Sequence, residues 1–260
     1  MNLSDPLFSL QGKTALVTGG GSGIGAMIAR GFVARGVRTY ITGRDAAQVS
    51  DAAREFASEG GSCIGLAADF TVAEGVTRFA EEFAAREARL DILVNNAGTN
   101  APGSLAEMTI ADWDLLLDVN LRAAFFLSRE LLPQLRAAGS DEHPARIINI
   151  GSIGGLHVPN WEAHAYGASK AALHHLTRSL CKALGKDRIT VNAIAPGPFP
   201  SRMHDTDSES TQRNIATFIP LARAGTPEDA EGLAVFLASR AGSYVNGTTI
   251  PLDGGYIAAL

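Results

Sequence analysis

Tyr166 and Lys170 are four positions apart in a stretch with helical patterning, so their side chains share one helix face about a turn apart. A phenol beside an ammonium suits proton transfer to or from a carbonyl or carbinol oxygen. An unperturbed tyrosine, with a pKa near 10, is a weak base at neutral pH. A neighbouring cation favours the phenolate, so the sequence predicts a lowered Tyr166 pKa. Ser152 follows the apolar run RIINI. That puts its hydroxyl at the carboxyl edge of a buried strand, where ligands of open α/β sheets bind. Each residue alone has an ordinary structural explanation. Together with a second motif they become specific.

The second motif is Gly19-Gly20-Gly21-Ser22-Gly23-Ile24-Gly25, which directly follows the run Lys13–Thr18 and opens a helical pattern. Glycines there let the backbone turn sharply and approach a pyrophosphate, whose charge meets the helix N-terminus. The second predicted strand ends at Thr42-Gly43-Arg44-Asp45. An NAD site usually has an acid at this point to accept from the ribose 2′-hydroxyl. Here Gly43 stands in that place and Arg44 follows. A guanidinium pairs with a 2′-phosphate, so NADPH is expected over NADH. The plainer reading is a solvated Arg44 beside an Asp45 that caps the next helix.

Positioning these groups requires a particular scaffold. Predicted strands are Lys13–Thr18, Arg38–Thr42, Ser62–Ala67, Asp91–Asn95, Arg146–Ile150, Ile189–Ile194 and Thr248–Ile250. Most are continuous apolar runs, as in a parallel sheet buried on both faces. Helical patterns occupy Ile24–Arg35, Ala46–Glu59, Val72–Arg86, Ile110–Leu135, Ala165–Leu184 and Pro227–Ala238. Thr226, Pro227 and the acids behind them read as an N-cap with proline at N1. Strand–helix alternation along the chain predicts one doubly wound, Rossmann-type α/β domain with a seven-stranded parallel sheet and helices on both faces. Residues 195–225 break the rhythm with four prolines and the polar patch HDTDSESTQRN, and are expected to be a long loop serving as a substrate lid.

The chain has 260 residues, with Lys+Arg 22 against Asp+Glu 27 and a net charge of −5, which leaves no basic excess for nucleic acid. There is no apolar run long enough for a membrane span and no leader pattern, so a cytoplasmic protein is expected. Cys63 and Cys181 form no disulfide framework, and no metal cluster is expected. The adjacent His174 and His175 point about 100° apart on a helix and cannot grip one metal together.

The ordered set Thr18-Gly19-x-x-x-Gly23-x-Gly25, Asp69, Asn95-Asn96-Ala97-Gly98, Asn120, Ser152, Tyr166-x-x-x-Lys170, Asn192, Pro196-Gly197 and Asp253-Gly254-Gly255 resembles the short-chain dehydrogenase/reductase family over essentially the whole chain. The resemblance implies Tyr166 as general acid/base, with Lys170 lowering its pKa and holding the nicotinamide ribose. It implies that Ser152 orients the substrate and that Asn120 anchors a water leading from Lys170 to solvent. Cofactor contacts are implied for Gly19, Ser22, Gly23, Ile24, Gly25 and Gly98. Asp69 is implied at the adenine, Asn96 near the adenosine ribose, and Ile194 at the carboxamide through its backbone. Pro196 and Gly197 form the following turn, and Ser201 stands where the family often has threonine. The Ser152–Tyr166 spacing is one residue longer than usual. Segments PARIINIGS and IAPGPFPSRM resemble 3-oxoacyl carrier-protein reductases of the rhamnolipid-pathway type.

These features predict NADPH-dependent reduction of a ketone, with a 3-oxoacyl thioester as the expected substrate and a homotetramer as the expected assembly. Phe199 and Met203 are expected as apolar wall, with His157 and Trp161 bordering the substrate. Oxidation of a secondary alcohol such as a sugar, polyol or steroid is the same-class alternative. A non-catalytic dinucleotide sensor ranks below both, because Tyr166 and Lys170 are present.

Overall fold

Seven short runs pair side by side, the central ones buried on both faces and the edge runs Ser62–Ala67 and Thr249–Leu252 only partly so. In the computed structural model, which describes residues 5–101, 103–159, 161–200, 206 and 208–260, they are β1 (Thr14–Val17), β2 (Arg38–Gly43), β3 (Ser62–Ala67), β4 (Ile92–Asn95), β5 (Ala145–Ile150), β6 (Ile189–Pro196) and β7 (Thr249–Leu252). The sheet order is β3-β2-β1-β4-β5-β6-β7, and every pair is parallel. Alternate residues of one strand feed opposite layers. Ala15 and Val17 of β1 enter one core with Phe32 of α1 (Gly23–Ala34), Val49 of α2 (Ala46–Ser58) and Val235 of the helix Pro227–Ala238. Leu16, between them, faces the other core. There it joins Phe79 and Phe83 of α3 (Ala73–Arg86) and residues of the helices that follow β4.

The long helix expected over 110–135 is three pieces. These are α4 (Ile110–Leu117), α5 (Ala123–Glu130) and α6 (Leu132–Ala138), with a π-helical turn over Asp118–Arg122 between the first two. A π turn inserts one extra residue without breaking the helical pattern, so apolar periodicity does not reveal it. α7 (His164–Leu184) carries Tyr166 and Lys170.

The predicted loop 195–225 is corrected in its second half, where α8 (Glu209–Phe218) forms behind the Ser208 cap. Its polar composition hides a stripe of Thr211, Asn214, Ile215 and Phe218 at three- and four-residue spacing. α9 (Pro227–Ala238) starts as expected, with a reciprocal Thr226–Asp229 capping box. Among the described residues no helix is long and apolar enough to cross a membrane.

Candidate active site

Strand order reverses between β1 and β4, and connections leaving those strands diverge to opposite faces. The cleft opens there, at the carboxyl ends of the strands, as such folds require. It encloses about 610 Å³. Thr18, just past β1, staples its floor. Its hydroxyl accepts from the Asn96 and Ala97 N–H groups at 2.9 and 2.8 Å. The Asn96 side-chain amide answers by donating to the Thr18 and Gly19 carbonyls at 2.8 and 3.1 Å. Asn96 thus lines the cleft while its amide nitrogen holds the glycine turn in shape. Gly19 and Gly23 have φ of 62° and 53°, which favour glycine. A Cβ on Gly25 would collide with the Asn96 amide and the Gly19 carbonyl, so α1 can sit this close only with glycine there.

The catalytic wall is built by the short turn after β5 lying on α7. Ser152 is extended, and its Oγ accepts from the Gly154 N–H at 3.1 Å, while the same hydroxyl bears on the Tyr166 phenol. Tyr166, Lys170 and Ser152 all line the same cleft. Lys170 is only 4% exposed, and its Nζ donates to the Ile150 carbonyl at 2.8 Å. Burial pulls its pKa down to about 8. The expected lowering of Tyr166 is corrected here: burial raises its pKa, against a smaller downward pull from Ser152. The physical reason is desolvation, because the phenol is buried against α7, with the Lys170 Nζ on the Ile150 carbonyl and 5.8 Å from the tyrosine ring centre.

Asn120 lies in the π turn and is buried. Its Oδ1 accepts from the Thr99 N–H at 2.8 Å, and its Nδ2 donates to the Thr99 carbonyl and Ser169 Oγ, both at 3.0 Å. The Asn120 side chain therefore clamps the segment after β4 to α7, and both its ends are already engaged with protein.

Set against known proteins, this arrangement has many counterparts. The family described as Enoyl-(Acyl carrier protein) reductase matches residues 19–257. The chain is 44% identical over 253 residues to the rhamnolipids biosynthesis 3-oxoacyl-[acyl-carrier-protein] reductase of Pseudomonas aeruginosa, covering 96% of this chain and 98% of that protein. It is 38% identical over 257 residues to a 2-dehydro-3-deoxy-D-gluconate 5-dehydrogenase of Pseudoalteromonas atlantica, covering 96% and 98%. The Pseudomonas aeruginosa RhlG/NADP active-site complex superposes with a TM-score of 0.93 over 97% of this chain and 99% of that one, at 44% identity. The chain belongs to the short-chain dehydrogenase/reductase family.

As a short-chain dehydrogenase/reductase, an oxidoreductase, the protein should offer a dinucleotide cradle, and its residues fit one. The first turn of α1 contains no acidic side chain, and the Ser22 side chain does not cap it. Its N–H groups are therefore free to meet a pyrophosphate. Arg44 lines the same cleft and forms no salt bridge among the described residues, while Asp45 caps α2 through the Ala47 and Gln48 N–H groups. Gly98, Pro196 and Gly197 also line it, and Gly98 is packed so close that a Cβ would lie 3.2 Å from Asn120 Oδ1. Asp69 is exposed and does not line the cleft. Its carboxylate accepts from the Thr71 N–H and hydroxyl at 3.0 and 2.7 Å.

Ile194 does not line the cleft. It is 1% exposed, its side chain belongs to the core, and its carbonyl accepts from the Gly151 N–H at 2.7 Å. β6 runs two residues past the predicted end, so the chain reaches the cleft only at Pro196. Ser201 and Met203 lie outside the described residues.

Several cleft residues escaped the sequence reading. Ile215, Phe218 and Ile219 come from α8 and its end, and Tyr256 comes from the C-terminal segment, with its ring centre 5.1 Å from that of His157. Asn100 lines the cleft too, with a buried Oδ1 that has no partner. The spacing on α8 was the available signal. Tyr256 carried none, because only the fold brings the tail back to β5.

Proposed function

We propose that this protein reduces the ketone of a 3-oxoacyl thioester to a secondary alcohol with NADPH. The observation that carries the reading is a cleft with two unlike walls. One part of the lining is Ser152, Tyr166 and Lys170, and another is Phe199, Ile215, Phe218 and Ile219, with Thr211 and Asn214 as its polar members. An acyl chain is satisfied by apolar wall, whereas a polyol would need a buried partner for each hydroxyl.

Bound NADPH supplies the hydride at the carbonyl carbon. The Ser152 hydroxyl donates a hydrogen bond to the ketone oxygen and fixes its orientation. Tyr166 gives that oxygen its proton as alkoxide character develops, and its raised pKa keeps the phenol protonated for this role. Lys170 stabilises the tyrosinate that remains and is placed to reach the nicotinamide ribose. Arg44 recognises the 2′-phosphate. Residues 195–225, with α8 in their second half, serve as the lid over the substrate.

We also place the protein in the cytoplasm, supported by two free thiols, and assign it a homotetrameric assembly within one domain per chain. Exposed apolar side chains on and beside α4 and α5 support the assembly, among them Ile110 at 82%, Trp113 and Phe125. Light scattering at micromolar concentration should give four times the chain mass, and a monomer would refute the assembly.

The substrate test compares initial rates on medium-chain 3-oxoacyl thioesters with NADPH against polyols and gluconates with NADP. Faster thioester reduction is expected. Faster alcohol oxidation would overturn the substrate assignment and favour the dehydrogenase reading.

A further inference from the structure

The turn that presents Ser152 rests on α7 through two glycines. A Cβ on Gly155 would lie 2.7 Å from the Lys170 carbonyl carbon and the Ala171 nitrogen, and one on Gly151 would collide with the imidazole of His174. His174 follows Lys170 by one turn of α7 and is 3% exposed. Its Nε2 accepts from the Ser152 N–H at 3.4 Å, so the ring carries its proton on Nδ1. Nδ1 is itself buried with no hydrogen bond of ordinary length, although the Gly155 backbone comes close enough to oppose the fall in its pKa, a costly arrangement for packing alone. An aliphatic side chain would fill the same space at no such penalty. Burial first, then the Lys170 charge, brings the His174 pKa down to about 4, so the ring is neutral and able to accept.

We propose that His174 is a positioning residue of the reaction, a neutral imidazole beneath the catalytic turn that fixes Ser152 by accepting its backbone N–H. It touches neither substrate nor cofactor and acts through Ser152. The proposal rests on the reading of Ser152 as the group that orients the ketone. One side chain thus ties the Ser152 turn to the same helix that carries Tyr166 and Lys170, so their relative placement is set by a contact one turn long.

The test compares His174→Gln with His174→Met, which are nearly equal in length but differ in acceptor strength. Both are measured in the wild-type and Ser152→Ala backgrounds, with NADPH affinity followed by fluorescence. The methionine variant should lose roughly tenfold in kcat with NADPH affinity unchanged, while glutamine retains most of the rate. That difference should vanish when Ser152 is alanine, because coupled residues are non-additive. Equal rates for the two variants, or a difference that persists without the serine, would overturn the proposal. If Ser152→Ala alone keeps full turnover, the reading of Ser152 has failed instead, and the proposal falls with it. Should the methionine variant not fold, His174→Asn, which is too short to reach Ser152, is compared with glutamine on the same terms.

Discussion

Replacing Lys170 with methionine should stabilise the protein while destroying its activity. Burial holds the Lys170 pKa at about 8 against the ordinary 10.5. At 1.36 kcal/mol per pKa unit, a depression of that size weighs on the folded state by about 3 kcal/mol at neutral pH. Methionine fills a similar volume without the charge, but leaves the Ile150 carbonyl without its partner, which returns about 1 kcal/mol. A net gain of about 2 kcal/mol remains, or roughly 4–8 °C in Tm for a chain of this size. The pH dependence has a definite sign. Between about pH 8 and 10.5 the unfolded state binds more protons than the folded state, so wild-type stability rises with pH through that window. The advantage of Lys170→Met should therefore be full below pH 8 and shrink above it. Scanning calorimetry of both proteins at pH 7 and pH 9.5, without nucleotide, measures this directly. A variant that melts below wild type at pH 7, or a gap indifferent to pH, would refute the reasoning.

Arg44→Ala should weaken NADPH binding about tenfold and leave NADH unchanged. A charge-assisted hydrogen bond contributes about 1.5–3 kcal/mol, and the lower end applies because Arg44 is exposed. Fluorescence titration with both nucleotides checks it. Gly25→Val should abolish binding of either nucleotide, since the new side chain meets the Asn96 amide and the Gly19 carbonyl; retained affinity would show that the turn is not the cradle. Phe218→Ala, at the outer end of the α8 stripe, should raise KM for long acyl chains more than for short ones. A uniform change across chain lengths would remove α8 from the substrate wall.

The scaffold was legible where the chemistry of burial writes directly into the sequence. β1, β4 and β5 are continuous apolar runs because both faces of the sheet are covered, and their ends were placed within a residue. α9 was legible from Thr226 and Pro227 because capping is a local event. The Ser152, Tyr166 and Lys170 constellation was legible because helix spacing and strand-end position follow from short-range rules. Failures came where tertiary structure decides. α8 is mostly polar in sequence, and the mixed stripe of Thr211, Asn214, Ile215 and Phe218 becomes cleft lining only once the helix lies there. The sequence does not show that the Ile194 carbonyl is engaged by the Gly151 N–H. The Tyr166 pKa is not legible from spacing, because helix spacing shows the neighbouring cation but not the burial that raises the phenol. His174 looked like half of a histidine pair, and only its burial under Ser152 separates it from exposed His175.

The proposed chemistry turns on one proton, and the most direct measurement compares wild type with Tyr166→Phe. Both are assayed for NADPH oxidation with a medium-chain 3-oxoacyl thioester, and NADPH affinity is measured in parallel. The phenyl ring packs as before but has no proton to give. NADPH affinity should be unchanged and turnover lowered roughly 10²–10⁴-fold. Near-normal turnover by a folded Tyr166→Phe variant would contradict the proposed chemistry.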